Sequence, residues 1–446
     1  MSDKLIIKTR KKIFFYILIE VFLISISYLV VLFSQKELNY SYIYTFLIIM
    51  FWPIVSYLSN RYEGIFTKQK LTISFFRIIF SSLIMVLLFT SLATIIDFLK
   101  LYKTEFQISY SYGFFIKILY LNFLLTSLCG LILNKISKNI NKVKKWLFIG
   151  SDKNLELLNK SIKNSNYHKK LKIEKIKDKG IKHLKNSRII IDHEDKIEQN
   201  LFTLIDSNIE NILILRTIED WYEETFERIP VDLFTLNNMY ELKQRSYKNN
   251  IHNKIKRIGD ILLSIFILII TSPLIIWFSF LIWVEDRGPI FYIQKRVGFK
   301  GKIFSLVKFR SMHINAEKDG PQWATKNDPR TTFIGKIIRK TRFDEIPQLF
   351  SVIKGEMSLI GPRPERPEIE NFLKKNINHY NLKYLVKPGM SGWAQVNYPY
   401  GSSIQDSKNK LSFDIFYIKN KSLFLDFIVL IKTIKIILNF KKYGSN

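Results

Sequence analysis

"IGDILLSIFILIITSPLIIWFSFLIWV", Ile258 to Val284, is the stretch on which the fold turns. Its length and apolarity suit a membrane span. Two features complicate that reading. Ser272-Pro273 falls in the middle, where proline removes a helix hydrogen bond and kinks the chain. Basic residues also flank both ends, Lys254, Lys256 and Arg257 before it and Arg287, Lys295 and Arg296 after it. A helix–break–helix that enters one leaflet and returns to the same face satisfies both features. An ordinary kinked span satisfies the residues equally well, and the stretch alone leaves both open.

Upstream, four further apolar runs occur near Ile13–Phe33, Tyr42–Leu58, Phe75–Ile96 and Gly113–Leu133, each of spanning length. The first is too long for a removable signal peptide and lacks the small-residue cleavage pattern. Lysine and arginine cluster before the first run (Lys4, Lys8, Arg10, Lys11, Lys12), between the second and third (Arg61, Lys68, Lys70) and after the fourth (Lys135, Lys138, Lys142, Lys144, Lys145). The other two connections are charge-balanced. The positive-inside rule therefore predicts a four-helix bundle over 1–140 with both ends in the cytoplasm. Part of the net charge of +30 in 446 residues is thus a topology signal, which weakens a nucleic-acid reading. A hydrophobic share of 48% excludes disorder, and the single cysteine, Cys129, excludes an internal disulfide framework. The scattered histidines show no metal-ligand spacing.

Between the bundle and the long apolar run, "KKWLFIGSDKNLELLNKSIK" (Lys144–Lys163) reads as a short strand, a turn and a helix, and strand-like segments at Arg188–Ile191, Asn211–Leu215 and Val231–Leu236 follow with helical ones between them. The pattern predicts a small Rossmann-like α/β domain over 141–240 and a basic linker over 241–253. A dinucleotide site wants a glycine-rich turn opening the first helix, and "FIGSDKN" offers Gly150 alone. The domain therefore reads as degenerate, structural or regulatory.

Downstream, "TRFDEIPQL" (Thr341–Leu349) places two carboxylates, Asp344 and Glu345, among cations. Pro347 suits the first turn of a helix, which puts Asp344 near the N-cap of Glu345–Ile353, where free N–H groups favour an anion. Neighbours on a helix point about 100° apart, so the two acids are expected to do different work rather than share one proton. Arg339 lies five residues before Asp344, and "GPRPERPE" adds Arg363 and Arg366 in a proline-stiffened loop. Guanidinium forks match phosphate oxygens. A nucleophilic carboxylate, a cation-holding carboxylate and phosphate-clamping arginines form a phosphoryl-transfer set. At the C-terminus, "SLFLDFIVLIKTIKIILNFKK" puts Leu423, Phe427, Leu430, Ile431, Ile434 and Leu438 on one helical face and Lys421, Lys432, Lys435 and Asn439 on the other, the pattern of an interfacial amphipathic helix.

From Lys256 to Lys442 these motifs follow one another as in a known family. "KRIGDILLSIFILIITSP", "GPIFYIQKRVGFKGKIFSLVKFRSM", "DPRTTFIGKIIRKTRFDEIPQLFSVIKGEMSLIGPRPERPE", "VKPGMSGWAQVNYPYG" and "FDIFYIKNKSLFLDF" resemble the bacterial sugar transferases, the monotopic polyprenyl-phosphate phosphoglycosyl transferases, in their long form with an N-terminal bundle. The resemblance implies an α/β monotopic catalytic domain over 254–446 whose helix 258–284 re-enters at Ser272-Pro273, on the cytoplasmic face of a bacterial inner membrane. It implies transfer of a phosphosugar from a uridine diphosphate sugar to undecaprenyl phosphate, with Asp344 as nucleophile, Glu345 holding Mg²⁺, and Lys308, Arg339 and Arg363 near the phosphates. Gln395 falls in a motif near the active site. It further implies initiation of exopolysaccharide, capsule or O-antigen assembly, inner-membrane lipids as surroundings, no nucleic-acid partner, and a homodimer as in long-form relatives. Arg342-Phe343 stands where many members have Ser-Leu, and "NYPYGSS" replaces the shorter loop of small members, which leaves the sugar open. The competing expectation is a membrane scaffold that has kept the fold and lost the chemistry.

Overall fold

A computed structural model describes residues 7–34, 144–163, 171–175, 187–192, 212–234, 238–240, 242–244, 250–314, 316, 328–399, 401 and 403–438, with scattered positions between 49 and 129. The chain divides into two compact units, residues 1–225 and 226–446.

In the first unit, helix α1 (Ile7–Ser34) covers the first apolar run. Most of the other three runs lies outside the described residues. Their described positions nonetheless meet α1 in one apolar cluster: Ile24 and Val31 with Trp52 and Val55 from the second run, Ile84 from the third, and Ile118 and Leu121 from the fourth.

The α/β layer of this unit is a parallel sheet of order β2-β1-β3-β4, formed by β1 (Lys144–Ile149), β2 (Leu171–Lys175), β3 (Ser187–Ile191) and β4 (Ile212–Thr217). Helix α2 (Asp152–Lys163) follows β1, and α3 (Ile218–Phe226) follows β4. Trp146 meets Trp221 edge to face at 6.0 Å. The sequence reading missed β2, "LKIEK", because its lysines and glutamate mask a buried alternation at Leu171 and Ile173.

Strand order reverses between β1 and β3, the place where open α/β sheets bind ligands. Here the crevice is filled from within. Asp192, 1% exposed at the end of β3, accepts hydrogen bonds from the Ser151 backbone N–H and Oγ, both at 3.0 Å. Asn154 Nδ2 donates to its two oxygens at 2.8 and 2.9 Å. A Cβ on Gly150 would stand 2.3 Å from Asp192 Cβ, so the lone glycine makes room for a carboxylate of the chain itself.

The second unit begins earlier than expected. Ile229, Val231, Phe234 and Leu242 belong to its core, and the strand expected over Val231–Leu236 is a 3-10 turn, Val231–Leu233, that follows Pro230. Of the expected linker 241–253, residues 242–244 are helical and 250–253 open helix α4 (Asn250–Asp286).

Among the described residues α4 is the one helix long and apolar enough to cross a membrane, with only 6% of its most apolar stretch buried by protein. Helical hydrogen bonding continues through Ser272-Pro273, where the break is expected. Pro273 cannot donate to the Ile269 carbonyl, and Ser272 Oγ supplies that bond at 2.7 Å. Both ends of α4 are tied to the same unit. Arg257 donates to the Val352 and Ile353 carbonyls, the latter at 2.6 Å, and Asp260 accepts from Ser358 Oγ at 2.7 Å. At the far end Asp286 pairs with Arg310, and Glu285 accepts from the backbone N–H groups of Phe333 (2.8 Å) and Ile334 (3.2 Å).

The rest of the unit wraps a core of Leu306, Val352, Met357, Trp393, Ile415 and Val429 with their neighbours. Its elements are an antiparallel hairpin of β5 (Phe291–Val297) and β6 (Ile303–Phe309), then α5 (Phe333–Lys340), α6 (Leu349–Lys354), β7 (Ser358–Ile360), α7 (Pro367–Asn376), β8 (Gly389–Ser391), α8 (Trp393–Asn397), α9 (Ile404–Lys419) and α10 (Leu423–Leu438). In α10 the expected apolar stripe is largely uncovered at Leu423, Phe427, Ile434 and Leu438, while Ile431 is buried. Lys432, expected on the polar face, donates to Asn397 Oδ1 at 2.7 Å and lies 4.3 Å from the Trp393 ring.

Candidate active site

The acidic pair sits in a 3-10 turn, Phe343–Gln348, directly before α6. Its N-cap is Arg342, in the left-handed region at φ 60°, so Asp344 is the second residue of the turn and not its cap. Pro347 closes this turn; it does not open an α-helix. The positive φ at Arg342, uncommon outside glycine, re-aims the chain so that the carboxylates leave the α5 axis. Phe343 anchors the turn, packing on Phe278 of α4 at 5.0 Å and stacking on Phe309 of β6 at 6.2 Å. The apolar helix thereby sets the position of the residue next to Asp344. The C-terminal carbonyls of α6 are held by Arg257 of α4, and Gly355 ends that helix at φ 89°.

A cavity of about 550 Å³ opens above the turn. It is lined by Asp344, Glu345, Lys308, Arg339, Arg363, Arg366 and Gln395, so seven of the nine sequence-selected positions converge there. Ser272 and Pro273 are not among its lining residues. Arg339 arrives on the last turn of α5, whose first turn is capped by Thr332 Oγ1, accepting from Gly335 N–H at 2.9 Å, and by Glu285. Lys308 lies on β6 opposite Tyr292. Arg363 follows β7 in the Pro-Arg-Pro loop and donates to Glu345 Oε1 at 2.8 Å. Gly361, next to it, passes so close to β8 that a Cβ would lie 2.4 Å from the Lys387 carbonyl.

Electrostatics separates the two acids. Burial raises the Asp344 pKa to about 6; the Glu345 charge adds to this, and Lys308, Arg339 and Arg363 oppose it. Burial also works against Glu345, but Arg363, Lys308 and Arg342 outweigh it and bring that carboxyl down to about 2. Lys308 is lowered to about 8 by its own burial, with Arg363 and Arg296 adding and the two carboxylates resisting. The two neighbouring carboxyls are thus shifted in opposite directions, Asp344 up and Glu345 down.

Sequence reading missed several lining residues. Arg296 shares its strand face with Gln294 and Tyr292, at a period of two, and donates to the Pro364 carbonyl at 3.1 Å, steadying the arginine loop. Ser407, Lys410, Leu411 and Asp414 line the cavity at the i, i+3, i+4, i+7 spacing of one face of α9, a signal readable in the sequence. Lys383 also lines it, paired with buried Glu370 at 3.0 Å.

Residues 251–440 match the model of one family, described as bacterial sugar transferase. This part of the chain belongs to that family. Within the bacterial sugar transferase region the chain is 45% identical, over 184 residues, to a UDP-N-acetylgalactosamine-undecaprenyl-phosphate N-acetylgalactosaminephosphotransferase of Aeromonas hydrophila, covering 41% of this chain and 44% of that one. It is 41% identical over 199 residues to an undecaprenyl-phosphate galactose phosphotransferase of Salmonella typhimurium, covering 41% and 40%. It is 37% identical over 186 residues to an undecaprenyl-phosphate glucose phosphotransferase of Komagataeibacter xylinus, covering 40% and 35%. The chain thus spans less than half the length of each of these relatives.

Proposed function

We propose that the protein transfers a sugar 1-phosphate from a uridine diphosphate sugar to undecaprenyl phosphate. The Asp344 carboxylate attacks the β-phosphorus; an aspartyl–phosphorus bond forms, the bridging P–O bond breaks, and UMP leaves with its electron pair. An oxygen of undecaprenyl phosphate then attacks the same phosphorus and releases the carboxylate, yielding undecaprenyl-diphosphate-sugar. The observation that carries this reading is the split acid pair in one cation-lined cavity: Asp344 ionises near pH 6 while Glu345 stays anionic beside Arg363. Lys308, Arg339 and Arg363 hold phosphate oxygens and offset the charge that develops on the leaving group. Storing the phosphosugar on Asp344 lets two anionic substrates use the cationic site in turn.

Among the described residues no group of three or more His, Cys, Asp or Glu could hold a metal by itself. Mg²⁺ in phosphoryl-transfer sites needs only one or two carboxylates, with substrate oxygens and water completing its shell. Glu345, anionic throughout the working range, fits that role with Asp344 beside it, and the ion would supply charge neutralisation on the diphosphate.

The membrane reading follows from α4. Its uncovered apolar surface needs lipid, yet polar contacts from Arg257 and Asp260 at one end, and Glu285 and Asp286 at the other, reach the same unit. A helix leaving its ends on opposite sides of about 30 Å of hydrocarbon cannot be tied in this way. The helix therefore inserts from one face, which by the basic flanks is the cytoplasmic face of the inner membrane, and the exposed apolar residues of α10 lie in the same interface. The product would start a surface polysaccharide such as exopolysaccharide, capsule or O-antigen.

Full-length protein given Mg²⁺, undecaprenyl phosphate and a panel of UDP-sugars should release UMP from at least one of them, and donor labelled in the sugar phosphate should mark the polypeptide. A fully active Asp344→Asn enzyme would remove the nucleophile assignment. Absence of UMP release with every donor would favour the scaffold reading.

A further inference from the structure

The phosphoryl chemistry proposed above uses no residue of α9. Asp414 lies on it, 7% exposed and lining the cavity. Among the described residues no hydrogen bond holds its carboxyl. The charged groups around it are Lys383, Lys410, Glu365 and Glu370. Lys383 is already paired with Glu370, and Lys410 Nζ donates to the Gly401 carbonyl at 2.6 Å. A buried carboxyl of this kind leaves its hydrogen-bonding capacity open toward the cavity.

Tyr398, Pro399 and Gly401, where the chain departs from the small members of the family, line the same cavity. This segment is a built surface. Tyr398 Oη donates to Asp406 Oδ1 at 2.9 Å and accepts from Asn409 Nδ2 at 3.0 Å, and its ring lies 6.1 Å from that of Phe413. Asp406 and Ser403 form a reciprocal cap at the start of α9, and Gly401 sits so close that a Cβ would meet Asp406 Cγ at 2.4 Å. The loop and the helix thus present Asp414 from a fixed frame.

Lys308, Arg339 and Arg363 act on the Asp344 carboxyl, where phosphate belongs. Asp414 stands among charges of both signs, Lys383 and Lys410 beside Glu365 and Glu370, and its open acceptors suit a hydroxyl donor. Building on the transferase reading, we infer that Asp414 with Tyr398, Pro399 and Gly401 forms a subsite for a hydroxyl-bearing ring of the nucleotide sugar, and that Asp414 is a specificity residue bonded to one of its hydroxyls. The two rings with this chemistry are the transferred sugar and the ribose.

The test uses full-length protein in nanodiscs and equilibrium binding of UMP and of a UDP-sugar panel, beside UMP release. Asp414→Leu should weaken UDP-sugar binding about tenfold or more, and Asp414→Asn, which keeps hydrogen-bonding groups, should stay within about threefold of wild type. Loss for the UDP-sugar with UMP affinity unchanged assigns the hydroxyl to the transferred sugar; equal loss for both assigns it to the ribose. Unchanged affinity for both ligands overturns the subsite. If Asp414→Leu does not fold, Asp414→Ala carries the same expectation, and unaltered binding by that variant overturns it too. Failure of the transferase reading registers separately, as absent UMP release by wild type while the binding difference persists.

Discussion

Two polar crevices in this protein contrast in one respect, whether the chain satisfies its own charge. In the α/β layer, Asp192 lies where a doubly wound sheet ordinarily meets a ligand, and Ser151 and Asn154 direct four hydrogen bonds to its carboxylate. In the second unit, Asp344 is buried with its pKa raised, Lys308 is buried with its pKa lowered, and Arg296 Nε has no hydrogen-bond partner among the described residues. The first crevice is closed by its own side chain and is stable as it stands. The second holds buried charges of both signs with shifted pKa values, which suits the phosphate proposed to bind there. Buried polar groups that are paired hold a fold together; those left short of partners mark where a substrate goes.

The strongest way to break the contrast is to neutralise one carboxylate in each crevice. Asp344→Asn should lower UMP release by roughly 10³-fold or more while leaving thermal unfolding close to wild type. Asp192→Ala should do the reverse. Leaving the Ser151 and Asn154 donors without their acceptor should cost about 2–4 kcal/mol, read as a lower unfolding temperature and earlier proteolysis within 144–226, with kcat/KM of the surviving protein unchanged. An active Asp344→Asn protein, or an Asp192→Ala protein of unaltered stability and lost activity, would reverse the assignment of the two crevices.

Smaller effects sharpen it. Arg363→Ala removes the hydrogen bond to Glu345 and a phosphate-facing cation, and should lower kcat/KM about 10- to 100-fold; Arg363→Lys should recover only part, because an ammonium cannot reproduce the fork. The pH profile of UMP release should be bell-shaped. Asp344 must be ionised, so activity falls as pH drops through about 6; Lys308 must be charged, so activity falls as pH rises through about 8. A flat profile between pH 5 and 9 would count against both roles, and loss of the alkaline limb in Lys308→Arg would assign it.

The parts legible in the sequence were those carried by local pattern. Periodicity and length located β1, α2, β3, β4 and the long apolar helix, and the clustering of carboxylates and arginines picked out Asp344, Glu345, Arg339 and Arg363 before any contact was known. What failed did so for physical reasons. Val231–Leu236 has strand composition, yet Pro230 and packing against the second unit turn it into a 3-10 segment. The sequence places Asp344 at a cap because Pro347 suits the first turn of a helix, and the left-handed Arg342 moves that turn. Asp414 was overlooked although its stripe with Ser407, Lys410 and Leu411 was there to be counted.

Residue types and their spacing by themselves determined which chemistry the chain could hold, because nucleophile, cation-binding acid and phosphate clamps are properties of side chains. The tertiary structure alone decided which charges are left short of partners. Burial and long-range neighbours give Asp344 and Glu345 opposite pKa shifts, and only the folded chain brings Arg363, Lys308 and Phe278 to the same turn.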